Sequence, residues 1–243
     1  MYDVFWCLCA TYLASSLGAS SIFITEHLKE KAMSFLYGSA AGIMLAACFL
    51  SLLLPGIENN SYGTVLFFMI GVLFMSLLDR LIPHESALTH EIEGLGIPLP
   101  KYSRLLLTIA LHNIPQGLAL GLSLSGQESE VVQMLVLALC LQNFPEGIAT
   151  AIPLLQHFKS KRQVFLIAEA LSFLEIPACI LGLLLSNLFV SLMDSLLGFA
   201  AGILLYTVIE EIIPDAWSHQ NRPLATFALF LGFTLMMLLH ISF

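Results

Sequence analysis

The chain has 243 residues, 58% of them hydrophobic and 11% charged, with a mean hydropathy of +0.90 and a formal net charge of −8. Soluble domains carry about 25% charged residues, so this composition excludes one and marks a polytopic integral membrane protein. Too little polar chain remains for nucleic-acid binding or for catalysis in the aqueous phase.

At about 20 apolar residues per crossing, the chain divides into eight segments near residues 4–25, 33–55, 62–82, 102–125, 131–155, 163–186, 189–213 and 222–242, forming one domain over residues 1–243. The first opens Met1-Tyr2-Asp3 with no basic stretch and is as long as a full span, so it is expected to be a retained helix and not a cleaved signal. It holds a small-residue patch, Ser15, Ser16, Gly18, Ala19, Ser20 and Ser21, suited to close helix packing. The second segment carries Ala40-Ala41-Gly42-Ile43-Met44-Leu45 and ends at Pro55; the seventh repeats this as Ala200-Ala201-Gly202-Ile203-Leu204-Leu205 and ends at Pro214. In an eight-span topology these two cross in opposite directions. Segments 1 to 3 and 6 to 8 are therefore expected to form an inverted repeat around segments 4 and 5, a plan that encloses the substrate site in many transporters.

The third connection is the one long loop, and it holds His84, Glu85, His90, Glu91 and Glu93, which read as a solvated loop more readily than as a closed metal site. Segments 4 and 5 then carry two versions of one motif, LHNIPQGLALGL from Leu111 and LQNFPEGIATAI from Leu141. Within each, polar residues four apart share a helix face: His112 with Gln116, and Gln142 with Glu146. If the two helices pack together, an imidazole, a carboxylate and two amide oxygens converge within the membrane as a cage for a divalent metal. Pro115 and Pro145 cannot donate to the carbonyls of Leu111 and Leu141, which are tolerated at that depth where they line a cavity.

Segment 6 carries Glu169 and Glu175, the latter near mid-span, where a lone carboxylate is expensive and must face a cation, a partner or water. Segment 7 ends in Tyr206, Glu210, Glu211, Pro214 and Asp215, acids that either form an exit funnel or simply reach water at the interface. His157, His219 and His240 stand at helix ends and read as interfacial, and the five cysteines read as packing residues. All nine Lys and Arg (Lys29, Lys31, Arg80, Lys101, Arg104, Lys159, Lys161, Arg162 and Arg222) fall in connections on one side. The positive-inside rule makes that side cytoplasmic and puts both termini on the non-cytoplasmic side. The outer face keeps Asp3, Glu58, Glu128 and Glu130 with no basic residue to balance them, a surface that would concentrate cations.

Taken together, HNIPQG, QNFPEG, AAGIMLAACFLSLLLP, the Glu175-Ile176-Pro177 of segment 6 and AAGILLYTVIEEIIP resemble the ZIP (Zrt/Irt-like) divalent-metal transporters, and within them the GufA-like branch. The resemblance covers the whole chain. It implies an all-α membrane fold of eight helices in a 3+2+3 arrangement, with a metal pair held by helices 4 and 5. Carried over position by position, it implies one site built from His112, Gln116, Gln142 and Glu146 and a second from Asn113, Asn143 and a helix 6 glutamate, Glu175. Two departures stand out. Gln116 occupies the place of a usual glutamate, and a neutral amide cannot bridge two cations as a carboxylate does. Ile176 separates Glu175 from its proline, which turns the glutamate by about 100°.

The expected activity is transport of Zn²⁺, with Fe²⁺, Mn²⁺ and Cd²⁺ as further candidates, toward the cytoplasm; a metal-binding sensor of the same fold is the alternative that Gln116 raises. No His-Glu-x-x-His pair exists for a metalloprotease, so no enzyme and no catalytic cofactor are expected. The expected partners are divalent metal ions and the lipid bilayer, with a homodimer suited to the family and no nucleic acid. The cell membrane is the expected location, an organelle membrane remaining open.

Overall fold

The computed structural model describes residues 2–82, 84–85, 92–93, 101–126, 129–218 and 221–242. The candidate residues His90, Glu91, Glu128 and His219 lie outside them, as do the side chains of Asp3, His84, Glu85, Glu93 and Lys101. The helices are α1 Tyr2–Ala19, α2 Glu30–Ala47, α3 Leu54–Leu81, α4 Lys101–Gly126, α5 Ser129–Leu154, α6 Lys161–Ser172, α7 Glu175–Leu188, α8 Met193–Thr207, α9 Ile213–Ser218 and α10 Arg222–Ser242. A two-residue antiparallel pairing joins His84–Glu85 to Ile92–Glu93.

Among the described residues, six helical runs are long and apolar enough to cross a membrane: Val4–Phe23, Glu30–Leu81, Glu130–Leu154, Lys161–Leu188, Val190–Ser218 and Arg222–Ser242. The count differs from the eight segments of the sequence at two places. The run Glu30–Leu81 has 52 residues, about 78 Å of helix at 1.5 Å per residue, more than twice the bilayer core of about 30 Å. It is broken at Asn60, whose φ of −147° and ψ of 78° are not helical. The fourth expected segment, α4, is a helix of 26 residues that is not among the six runs.

The regular helix also yields at three points near prolines. Below the two Ala-Ala-Gly stretches, Cys48–Leu53 and Val208–Ile212 widen into π-helix, just ahead of Pro55 and Pro214, which have no N–H to give the preceding turn. The sixth expected span is two helices, because Pro177 cannot donate to Phe173; that carbonyl accepts from Ile176 at 3.1 Å, and α6 stops at Ser172 while α7 begins at Glu175.

Packing sorts the long helices into four close pairs. The most extensive pairs are α3 with α8, α2 with α10, α4 with α7, and α1 with α5. The two pairs that contain the motif helices α4 and α5, with α6, are taken as one group, α1, α4, α5, α6 and α7; the remaining helices, α2, α3, α8, α9 and α10, are the other. Glycines make these approaches close. A methyl group on Gly121 would overlap the carbonyl oxygen of Cys179, and one on Gly42 would overlap that of Leu229. Every such overlap among the described glycines falls within a group and none between groups. The groups meet along α2 with α5 and α4 with α8. Around the outside, large apolar residues such as Phe5, Trp6, Leu73, Leu184, Phe227 and Phe230 are exposed, a surface suited to hydrocarbon and not to water. On the face that carries the Lys and Arg residues, Lys161 pairs with Glu26 at 2.9 Å, and its hydrogen bond and charge hold that exposed carboxyl below its ordinary value.

Candidate metal site

The two motif helices touch each other less than each touches its own partner, yet their polar faces meet. Gln116 on α4 donates from Nε2 to Glu146 Oε2 on α5 at 3.1 Å. His112, Gln142 and Glu146 line a cavity of about 20 Å³ together with Leu36, Tyr37, Ala40, Pro145 and Ile212, room for about one water-sized occupant. The i, i+4 spacing therefore does what the sequence expected: one face of each helix reaches a shared space. His112, Gln116 and Gln142 are buried and Glu146 is half-buried.

A second cluster lies beside the first. Asn143 donates to Glu175 Oε2 at 3.2 Å and to the carbonyl of Thr11 at 3.4 Å. Gln142 Nε2 reaches Asn143 Oδ1 at 3.5 Å, at the long limit of a hydrogen bond, and links the clusters. Asn113 donates to the carbonyl of Leu171 at 3.1 Å. Equivalent asparagines in the two motifs thus tie their N–H₂ ends to backbone, which leaves the amide oxygen as the end a cation could use. Glu175 is 2% exposed and turned toward α5. The break before α7 places it in the first turn of a new helix, so the extra residue before Pro177 does not carry it away from Asn143.

One residue the sequence had not assigned to the site is brought into it. Glu211, from the other helix group, pairs its Oε2 with His112 Nε2. Glu211 is 5% exposed while its neighbour Glu210 faces out, so the two acids, equivalent in the sequence, part company. The signal was the turn itself: in a π segment ahead of a proline the helical phase shifts, and period counting across it assigns faces wrongly.

Chemically the site is rich in negative charge. Glu146 and Glu211 stand near the His112 imidazole and Glu175 in the adjoining cluster, with no Lys or Arg among the residues that line the cavity. Uncompensated carboxylates in a dry interior cost several kcal/mol each unless a cation or a proton neutralises them. The carbonyl oxygen Oε1 of Gln116 is buried without a hydrogen-bond partner. Among the described residues, no three His, Cys, Asp or Glu side chains are grouped so as to hold a metal ion by themselves, so a coordination sphere here would draw on amide oxygens as well.

Residues 101–240 match the family model described as ZIP zinc transporter. The chain belongs to the ZIP zinc transporter family. It is 31% identical to the zinc transporter ZIPB of Bordetella bronchiseptica over 95% of this chain and 78% of that protein. It is 30% identical to the zinc transporter GufA of Myxococcus xanthus over 94% of each, and 28% identical to the human zinc transporter ZIP11 over 99% of this chain and 98% of the relative. ZIP proteins are transporters and not enzymes, and this ZIP chain is a multi-pass integral membrane protein.

Proposed function

We propose that the protein carries divalent metal ions, zinc foremost and Fe²⁺, Mn²⁺ and Cd²⁺ as candidates, toward the cytoplasm through the intramembrane site between α4 and α5. The observation that carries this is that His112 and Glu146 line one small cavity, with Glu211 paired to the imidazole, Glu175 in the adjoining cluster and the Gln116 amide oxygen buried without a hydrogen-bond partner. His112 offers Nε2; Glu146 and Glu211 offer carboxylate oxygens; Gln116 and Gln142 offer amide oxygens. Asn113, Asn143 and Glu175 provide a second, adjoining set. Such donors suit borderline and hard divalent ions without choosing among them. Zinc is the transported substrate in this reading, and no catalytic cofactor is involved.

The same reading takes residues 1–243 as one transmembrane domain of eight crossings arranged 3+2+3, with both termini on the non-cytoplasmic side. Three features support it: the length of the run Glu30–Leu81 with its break at Asn60, the matching π segments after the two Ala-Ala-Gly stretches, and the paired anchoring of Asn113 to Leu171 and of Asn143 to Thr11. The helix pairs agree, since exchanging segments 1, 2, 3 and 4 of the sequence for segments 6, 7, 8 and 5 turns α3 with α8 into α10 with α2, and α4 with α7 into α5 with α1.

A sensor that binds metal without moving it is the second reading, favoured by one contact. The amide of Gln116 already satisfies Glu146, so the site holds together without an ion. The deciding experiment is zinc uptake into proteoliposomes loaded with a zinc indicator. Uptake by the wild type and its loss in Glu146→Ala support transport; a silent wild type with transport restored in Gln116→Glu supports the sensor.

A further inference from the structure

A cavity of about 320 Å³, far roomier than the one of about 20 Å³ at the central site, lies on the face that carries the Lys and Arg residues. Its polar lining is Glu26 and His27 from the connection between α1 and α2, Gln156 and Lys159 from the connection between α5 and α6, and Lys161 at the start of α6. Lys161 is tied to Glu26 at 2.9 Å. Among the described residues, the side chains of His27, Gln156 and Lys159 make no hydrogen bond and no ion pair, so their donors are free for a ligand.

The depth of this cavity is that of phospholipid headgroups. The apolar runs Val4–Phe23 and Glu130–Leu154 end just before residues that line it, and the run Lys161–Leu188 begins with one of them. Three crossings therefore pass from hydrocarbon to water around one space. The remaining lining, Ile152, Leu155 and Phe158, is apolar. On the adjoining elements Phe23 and Leu166 are more than half exposed, and the Phe23 ring packs on that of Phe165 with centroids 5.6 Å apart. A small water-soluble anion gains nothing from that apolar surface, whereas acyl chains hanging from a headgroup in the cavity would cover it.

Charge selects the kind of headgroup. Lys161 and Glu26 cancel, so Lys159 leaves the lining with one net positive charge when the imidazole is neutral. One such charge matches a phosphodiester, which carries a single negative charge, and the ring N–H of His27 and the amide N–H₂ of Gln156 add neutral donors for its oxygens. A cation would meet two ammonium groups. The ammonium of a zwitterionic headgroup would find the one carboxylate of the lining already bound to Lys161. Basic pockets between helices at the membrane surface hold anionic lipids by the same chemistry.

We infer that this cavity binds the phosphodiester headgroup of an anionic glycerophospholipid of the phosphatidylglycerol class, Lys159 holding the charge, His27 and Gln156 donating to the phosphate, and the acyl chains lying against Phe23 and Leu166. The site is independent of what the central cavity carries. The probes are dioleoylphosphatidylglycerol and dioleoylphosphatidylcholine, offered as an equal mixture in nanodiscs to the full-length protein, and the lipid that stays bound on release into detergent is counted by native mass spectrometry. The wild type should retain one phosphatidylglycerol per chain in preference to the choline lipid. Lys159→Gln should weaken that preference about fivefold, while Arg222→Gln, on the same face but outside the cavity, should leave it near the wild-type value. Glu26→Gln frees Lys161 and should strengthen the preference by a similar factor, a gain that misfolding cannot produce. Equal retention of the two lipids by the wild type would overturn the site. So would equal losses in Lys159→Gln and Arg222→Gln, which would leave only the diffuse attraction of a basic face. Displacement of the lipid by inorganic phosphate would overturn the lipid assignment in favour of a free anion. No metal enters this readout, so its failure leaves the transport reading standing, and a protein that retains the lipid but moves no zinc loses only the transport reading.

Discussion

The two helix groups differ in what they contribute. The group of α1, α4, α5, α6 and α7 holds all seven residues of the two donor sets the sequence identified, His112, Asn113, Gln116, Gln142, Asn143, Glu146 and Glu175. The group of α2, α3, α8, α9 and α10 adds Leu36, Tyr37, Ala40 and Ile212 to the cavity wall and one donor, Glu211. Inside each group, backbones approach most closely at glycines; between groups, α2 runs beside α5 and α4 beside α8. The His112–Glu211 pair is the polar contact by which the second group reaches the site.

The comparison is broken most severely through the donor sets. Glu146→Ala should reduce zinc uptake to background with a normal elution profile, whereas Glu211→Ala should leave measurable uptake at reduced rate. Equal loss in both would mean that the two groups share the chemistry. Next in size are the glycines. Gly121→Val and Gly42→Val should each lose folded protein, with a destabilisation of at least the 1–3 kcal/mol or so typical of overpacking, read as lower melting temperature in detergent. A Val variant that melts like the wild type would show that the backbones inside a group can part without loss.

Gln116→Glu tests the donor set itself. It places a carboxylate beside Glu146, so the metal-free protein should melt lower and zinc should restore it, with metal affinity raised about tenfold. Acidification acts on the same atoms. Proton and metal compete for His112 Nε2, so uptake should fall between about pH 7.5 and about pH 5.5, and a flat profile would remove His112 from the donor set. The smallest effect belongs to Glu26→Gln, outside the donor sets. The Glu26–Lys161 pair is exposed, and because the carboxyl is held low, its contribution is present at neutral pH and fades as pH falls through the lowered value. Unchanged uptake and a barely altered melting temperature are expected.

Hydropathy revealed the membrane-spanning class, and spacing revealed the paired faces of α4 and α5, because both depend on local periodicity. What stayed hidden depends on irregularity. The break between Ser172 and Glu175 decides where Glu175 points, and the π turn at Val208–Ile212 separates buried Glu211 from exposed Glu210. Prolines 177 and 214 announce that something yields nearby, but not which way the next side chain faces. The pairing of helices is likewise invisible in composition, since lipid-facing and buried apolar residues look alike.

The glycine approaches also set a thermal character. Curvature in a stability profile comes from water gained by apolar surface on unfolding. Here, parting Gly121 from Cys179 or Gly42 from Leu229 would expose those surfaces to acyl chains, and the cohesion lost is dispersion contact. Separation of helices within a group should therefore carry a small heat-capacity change, so that cohesion declines almost linearly on warming and persists on cooling, where a water-driven core would weaken.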